Sequence, residues 1–491
     1  MSDPQICATV TGRTADEIRR ARDAASAADL VELRLDSMAR PDPAAALADR
    51  KRPAIVTCRA ARDGGGFRGS EEERRRLLAD AASLGAEFID VEWDAGFEPL
   101  IAARRGRGVI VSLHDFDGMP ADLPERVAAM RATGAEVVKV AISASRLSDL
   151  IALRDLAPRG PDADVVLIAM GAAGVPSRVL PAAFGSRWTY AGDSVAPGQV
   201  PLDRLLHEFR IRRIRPDAAL YGVAGRPVTR SLSPAMHNAG FAALSLNAAY
   251  VPLEAADAED FRQFADAFGL RGASVTTPFK IELAGLADEV SPVAHAVGAI
   301  NTLVRRDGRW TATNTDVDGF LEPLRGRVSL RGTRATVLGS GGAARAVAVA
   351  LSREGAAVTI AARNAAAARD VAEQSGARVG PWPPAAASWD LLVNATTCGS
   401  AANPGMPIPA SAIGGRLVYD LVYEPDPTPL MSAARDAGVE AIGGLEMLVA
   451  QAERQFETWT GQRPPRGLFH EAALQALSLR EGGANLRTAN T

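Results

Sequence analysis

The chain has 491 residues, more than one ordinary domain holds, of which 47% are hydrophobic and 23% charged. A net charge of −3 without a long basic run excludes a nucleic-acid or anionic-membrane surface as its organising feature. No apolar run reaches the ~18 residues of a membrane helix, and the opening MSDPQICATV lacks the basic and apolar regions of a secretion signal. Cys7, Cys58 and Cys398, odd in number and far apart, suit a reducing compartment. A cytoplasmic enzyme of two or three domains is expected.

Apolar β-type runs recur through the first two hundred residues: ICATVTG, LVELRLD, PAIVTCRA, FIDVEW, GVIVSLHDF, VVKVAI, DVVLIAMG and WTYAGD. Helix-type segments rich in Ala, Arg and Glu separate them. Eight strands alternating with helices predict a parallel sheet, and eight is the number that closes a (β/α)8 barrel. The pattern resets at IRRIRPDAAL, residues 211–220, a basic, proline-bearing linker. A new alternation starts at AALYGVAG and leads to RATVLGSGGAARA, residues 334–346, a strand, glycine turn and helix start able to hold a pyrophosphate. The region between linker and turn is expected to be a separate substrate domain, and the tail after about residue 480 to fray.

In such a barrel chemistry sits at the C-terminal strand ends, which carry Glu32 and Arg34, Arg59, His114 and Lys139; loops add Asp63, Arg178 and Gln199. Lys139 is the odd residue, because an ammonium inside VVKVAI is costly unless paired or deprotonated. Kept neutral by desolvation, its amine is a nucleophile for a ketone, and the resulting imine acidifies the neighbouring C–H. His114 suits that proton transfer, and the arginines suit an anionic substrate. Singly each has a plainer reading: Lys139 in a structural ion pair, His114 as a satisfied core histidine, Arg34 in a salt bridge with Glu32. Together, at successive strand ends, they favour an imine-forming lyase or aldolase.

ELRLD (32–36), TCR (57–59), GGGF, SLHDF (112–116), VVKVAI, PSRVL (176–180) and APGQ (196–199), in that order, resemble type I 3-dehydroquinate dehydratase over about residues 4–210. The resemblance implies that Lys139 forms an imine with the C3 ketone of 3-dehydroquinate. His114 would take the C2 proton and help the C1 hydroxyl leave as water, giving 3-dehydroshikimate. Glu32, Arg34, Arg59, Arg178 and Gln199 would bind hydroxyls and carboxylate, and Asp63 would orient His114. Asp63 stands where the family usually has Glu, and Val195, after Ser194, where it usually has Ser.

In the second half, YGVAGRPVTRSLSPAMHN (221–238) places Ser231 and Ser233 in a loop after a strand. SVTTPFK (274–280) ends in Lys280, and AINTLV and TNTDVDGF supply Asn301 and Asp316. A Lys–Asp pair beside a nicotinamide can relay a proton to or from an alcohol oxygen; the plainer reading is a surface salt bridge, with the serines making a turn. AVTIAARNAA and LLVNATTCGS read as further βα turns of a nucleotide-binding fold.

SLSP, VTTPFK, GAINTL, NTDVDGF, GSGGAARA, NATTCG, DLVYEPDPTPL and GGLEMLVAQAERQFETWTG resemble shikimate dehydrogenase over about residues 219–478. The resemblance implies that Lys280 and Asp316 are the catalytic pair. Ser231, Ser233, Thr276, Asn301, Asp316 and Gln451 would bind shikimate, with Tyr423 near the nicotinamide; Ser274 replaces a frequent Asn. NADP(H) would be held by Gly339, Ser340, Gly341, Gly342, Ala343, Arg363, Asn364, Asn394, Thr396 and Gly444. IAARNAA has no acid to repel a 2′-phosphate, and Arg363 can grip one, although Ala362, Arg363 and Asn364 replace the usual Asn-Arg-Thr.

The expected architecture is α/β: a (β/α)8 TIM barrel over 1–214, an α/β substrate domain over 218–322 with 446–480, and an NADP-binding Rossmann-like domain over 323–445. End to end the chain resembles dehydratase–dehydrogenase fusions, in which the first product is the second substrate. That implies two consecutive steps of aromatic amino-acid precursor synthesis with NADPH and no metal. The alternatives are an NAD-linked quinate/shikimate dehydrogenase in the C-terminal half, or one half serving as a non-catalytic ligand-binding domain.

Overall fold

In the computed structural model, which describes residues 4–158, 164–192 and 196–488, all eight N-terminal runs form strands. They are β1 (Gln5–Val10), β2 (Leu30–Arg34), β3 (Ala54–Thr57), β4 (Phe88–Glu92), β5 (Val109–Asp115), β6 (Val137–Ser143), β7 (Asp164–Met170) and β8 (Trp188–Ala191). The order is β7-β6-β5-β4-β3-β2-β1-β8, parallel throughout. The ends meet where Val165 bridges Ser186 and the Arg187 N–H donates to the Val165 carbonyl at 2.8 Å. Ser194 and Val195 lie outside the described residues.

Side chains alternate along each strand, so every second one points into the barrel. Near the strand starts these are Cys7, Leu30, Ile55, Phe88, Ile110, Val137, Val166 and Trp188, which form one buried apolar cluster. Two residues further along the same strands stand Glu32, Thr57, Asp90, Ser112 and Lys139, all buried. The interior is apolar at one end and charged at the other, which fixes where chemistry can occur.

The linker is packed rather than loose: Ile211–Arg213 make a 3-10 turn, and Ile211 and Ile214 are buried in a cluster shared by barrel and following domain. Asp257 caps helix Ala258–Ala267 by accepting from the Asp260 N–H at 2.8 Å. Asp260, fully buried, then accepts from the Leu147 N–H at 3.0 Å and the Ser148 N–H at 2.8 Å, in the loop that follows β6. One carboxylate thus ties the two halves together.

The second half holds two sheets. β9 (Ala219–Ala224), β10 (Ala248–Leu253), β11 (Gly272–Val275), β12 (Glu289–Val290), β13 (Thr302–Arg306) and β14 (Arg309–Thr313) form a mixed sheet in the order β10-β9-β11-β13-β14-β12. β15 (Arg334–Leu338), β16 (Ala357–Ala361), β17 (Arg378–Val379), β18 (Leu391–Asn394), β19 (Leu417–Asp420) and β20 (Glu440–Ile442) form a parallel one in the order β17-β16-β15-β18-β19-β20. That is the 3-2-1-4-5-6 order of doubly wound nucleotide-binding sheets, with its switch point between β15 and β18. Helix Gly444–Thr460 returns to the mixed sheet, where the Gln455 amide donates to the Asn301 carbonyl at 3.0 Å.

The tail departs from expectation. Helix Leu468–Thr488 runs past residue 480; Gly482 and Gly483 weaken a helix, but unlike proline they keep its N–H donors. Among the described residues no helix is long and apolar enough to cross a membrane.

Candidate active sites

At the charged end of the barrel a single pocket is lined by Glu32, Arg34, Arg59, Asp63, His114, Lys139, Arg178 and Gln199. All eight barrel residues singled out from the sequence converge there. Lys139 lies opposite Ser112 of β5 and Val166 of β7. Its Nζ donates to Asp90 Oδ2 at 2.9 Å and Glu32 Oε1 at 3.3 Å, and sits 4.2 Å from the centre of the Tyr190 ring. Desolvation in an apolar strand is therefore an incomplete account of Lys139: two buried carboxylates flank the amine, because the inward layer of the barrel is polar at that height.

Asp90 is the hub of that layer. Arg59 donates to Asp90 Oδ1, to Glu92 Oε1 and to Ser112 Oγ, each at 2.9 Å, and the Ser112 hydroxyl donates to Asp90 Oδ1 at 2.6 Å. Burial alone would raise the Asp90 carboxyl; the cations Arg59 and Lys139 outweigh it and hold Asp90 well below the usual carboxylate range. Burial likewise lowers Arg59, and Asp90 and Glu92 more than reverse it. With its guanidinium so engaged at the pocket wall, Arg59 fixes Asp90.

His114 is pushed well below its ordinary value, first by burial and then by the charges of Arg59 and Lys139, which leaves a neutral imidazole. Its buried Nδ1 has no hydrogen-bond partner. The expected orienting bond from Asp63 is not formed: Asp63 accepts from Arg62 Nε at 3.2 Å in the turn Ala61–Asp63. Its short side chain finds the adjacent guanidinium rather than the imidazole. Arg34 forms a two-pronged pair with Asp36 at 2.9 and 2.7 Å. Among the described residues Arg178 reaches only the Pro197 carbonyl, at 3.3 Å, and burial takes its guanidinium down to about 10. A buried guanidinium with spare donors can receive a carboxylate. Gln199 donates to Thr9 Oγ1 at 3.2 Å.

The second site lies between the two sheets of the C-terminal half. Lys280 Nζ donates to Asp316 Oδ2 at 2.5 Å, and Asn301 Nδ2 donates to Asp316 Oδ1 at 2.8 Å and approaches Gln451 Oε1 at 3.4 Å. Both Asp316 oxygens are thus held, in the first turn of helix Asp316–Leu321. The Ser233 N–H donates to Ser231 Oγ at 3.2 Å, and Arg480 pins this loop by donating to the Arg230 and Ser231 carbonyls at 2.6 and 3.0 Å. Thr276 packs against Gly225, where a Cβ would meet its methyl at 2.3 Å. Tyr423, raised by burial, packs against the apolar cluster that contains Tyr221 and Leu232. Ser274 is buried and receives the Tyr250 hydroxyl at 2.6 Å while donating to Gln455 Oε1 at 2.7 Å; it braces the site from behind.

The glycine turn after β15 fits a dinucleotide. Gly339 has φ 112°, a region closed to most side chains, and Gly341 precedes helix Gly342–Arg353, whose N-terminal N–H groups suit a pyrophosphate. Ser340 and Ala343 belong to the same turn. Arg363, just beyond β16, is exposed and makes no ion pair among the described residues, whereas Asn364 caps helix Ala365–Ser375 by accepting from the Ala366 and Ala367 N–H groups. Asn394 donates to Asp420 Oδ1 at 2.8 Å and accepts from the Thr396 hydroxyl at 2.7 Å, shaping the turn after β18. Gly444 packs so closely that a Cβ would lie 2.2 Å from the Leu421 carbonyl oxygen.

Family models for type I 3-dehydroquinase, the shikimate dehydrogenase substrate binding domain and the shikimate 5'-dehydrogenase C-terminal domain match residues 6–216, 223–303 and 444–474. The chloroplastic bifunctional 3-dehydroquinate dehydratase/shikimate dehydrogenase of Arabidopsis thaliana is 33% identical, with 94% of this chain and 83% of that protein covered. The chain belongs to the bifunctional 3-dehydroquinate dehydratase/shikimate dehydrogenase family. Its dehydrogenase half is also similar to the NADP(+) shikimate dehydrogenase of a Geobacter species, 40% identical over 52% of this chain and 95% of that one. The crystal structure of shikimate 5-dehydrogenase from Thermus thermophilus with NADP(H) and shikimate shares 37% identity at a TM-score of 0.50, covering 52% of this chain and 99% of that one.

Sequence reasoning missed the interior of the dehydratase half. Asp90 and Glu92 stand two apart in FIDVEW, as anomalous in a buried strand as Lys139, and that alternation was the available signal. Tyr190, Ser112 and Thr9 gave none, being ordinary residues of a strand.

Proposed function

We propose that Lys139 and Lys280 serve two successive reactions: dehydration of 3-dehydroquinate in the barrel, then reduction of 3-dehydroshikimate by NADPH between the C-terminal sheets. The reading rests on one observation, the assembly on a single chain of a carboxylate-flanked lysine beside a neutral histidine and of a Lys–Asp pair against a glycine turn. In the first reaction the Lys139 amine adds to the C3 ketone and water leaves as the imine forms. His114, neutral and with Nδ1 unengaged, accepts the C2 proton; the C1–O bond breaks, the hydroxyl taking a proton to leave as a second water. Hydrolysis of the imine, consuming water, frees 3-dehydroshikimate. Arg178 holds the carboxylate, and Asp90 and Glu32 keep the amine in place.

In the second reaction NADPH supplies the hydride. Lys280 delivers a proton to the carbonyl oxygen, and Asp316, held by Asn301, positions Lys280. Ser231, Ser233, Thr276 and Gln451 face the ring hydroxyls, and Arg363 takes the 2′-phosphate. The dehydratase unit corresponds to residues 1–214, the substrate domain to 218–322 with 446–480 and the nucleotide domain to 323–445. A cytoplasmic location suits three free cysteines. A coupled assay starting from 3-dehydroquinate and NADPH tests the whole reading: shikimate should accumulate as NADPH is consumed. Consumption only when 3-dehydroshikimate is supplied would leave the barrel without the assigned activity, and equal use of NADH would favour the NAD-linked alternative.

A further inference from the structure

One large cavity belongs to neither active site. It encloses about 910 Å³ between the N-terminal end of the barrel and the substrate domain, and Arg187, Arg210, Arg212, Arg213 and Arg215 line it. Helix Ser233–Ala243 and the start of β10 form the opposite wall.

Among the described residues the charges there do not balance. Of those, Asp164 is the one acid in the lining, and it already accepts from Arg187 Nη1 at 2.7 Å. Arg212 turns away to Asp29 at 3.1 Å. Arg213 finds only the Ala242 carbonyl, at 3.4 Å, and among the described residues no ion pair reaches Arg210, Arg213 or Arg215. The buried Nε of Arg210 has no hydrogen-bond partner, and the residue is held at φ 52°, a region costly for a side chain bearing a Cβ. Burial and the nearby Arg213 lower the Arg210 guanidinium. Three guanidinium groups with no ion-pair partner among the described residues stand around one space and repel each other, and Arg210 Nε is left unused. The space is far larger than a bare ion needs and falls in the range of small-molecule sites.

We propose that this cavity binds a small phosphate-bearing molecule, its phosphate held by Arg210, Arg213 and Arg215 at the junction of the two halves. Planar guanidinium forks match phosphate oxygens two at a time, and a multiply charged anion is what the unpaired arginines lack. The inference is independent of the two reactions.

Calorimetric titration of the full chain with inorganic pyrophosphate tests it, with NADP+ saturating so that the nucleotide turn is closed to the probe. One site of sub-millimolar affinity is expected, weakening as salt rises. Arg215→Ala, at an exposed side chain, and Arg210→Lys should each weaken it by about tenfold or more; should Arg210→Lys not fold, Arg213→Ala replaces it. No heat at millimolar pyrophosphate overturns the proposal. Unchanged affinity in the variants also overturns it, as an adventitious ion only. Citrate binding as tightly as pyrophosphate overturns the assignment of phosphate.

Discussion

A methyl group added to Gly342 would lie 2.8 Å from Cδ of Lys280. The first residue of the nucleotide-facing helix and the lysine of the proton pair are therefore in van der Waals contact across the cleft. Gly342→Ala should push Lys280 away from Asp316 and lower shikimate oxidation, while Lys280→Ala or Asp316→Ala should lower it by about 10²–10⁴-fold. Dehydration, in a separate sheet, should be unaffected. Steady-state kinetics on both half-reactions check this, and a change confined to KM would demote the pair to substrate binding.

For Lys139 the expected outcome is a covalent one. Borohydride added with 3-dehydroquinate should fix an adduct on Lys139 alone, seen by peptide mass spectrometry, and Lys139→Ala should abolish dehydration while shikimate oxidation persists. Dehydration at a near wild-type rate in that variant would end the imine mechanism.

Asp90 should be more consequential than Asp63. Asp90→Asn leaves Arg59 and Lys139 short of a buried counter-charge, a change that costs about 3–5 kcal/mol in comparable settings, and dehydration should collapse. Asp63 touches Arg62 rather than His114, so Asp63→Asn should change the rate less than tenfold. Denaturant melts alongside rates decide it; equal losses for the two would restore a direct orienting role to Asp63.

Choice of dinucleotide should rest on Arg363. Charge-assisted hydrogen bonds contribute ~1.5–3 kcal/mol, so Arg363→Ala should weaken NADPH by roughly 10- to 150-fold and leave NADH nearly unchanged. Fluorescence titration with both cofactors measures this, and equal wild-type use of both would contradict it.

Acid should find a weak point at His237. The ring is fully buried and stacked 4.5 Å from Tyr250, and burial, opposed by the nearby Gln455 side chain, takes it down to about 3. Between that value and ~6.5 the unfolded chain binds the proton that the folded chain refuses, so stability is lost as pH falls through this window. At pH 4.5 the loss from this residue is about 2–3 kcal/mol. His237→Phe should flatten the acid limb of a denaturation series; an unchanged limb would show that the ring is protonated in place.

The barrel was legible because each strand is an apolar run bounded by helix-type sequence, and Lys139 because a charge interrupts one. Asp90 carried the same kind of signal and was passed over. What could not be read is contact between residues far apart in the chain: Ser274 meeting Gln455, or Asp260 meeting Leu147 and Ser148. No local pattern marks such partners, since each is an unremarkable residue of its own element. Asp63 shows the converse limit, where a motif position implied a partner and a one-methylene difference redirected the side chain to its neighbour.

Asp260, holding two N–H groups of the opposite half, makes the fusion hard to undo. Separating the halves would give the two N–H groups and the carboxylate to water and expose the apolar cluster that both halves now bury. Two enzymes that share a core in this way share a fold: a lesion at their seam should lower the abundance of both activities at once. A lineage carrying this chain can silence one step by a substitution at its site, but cannot readily delete one half alone.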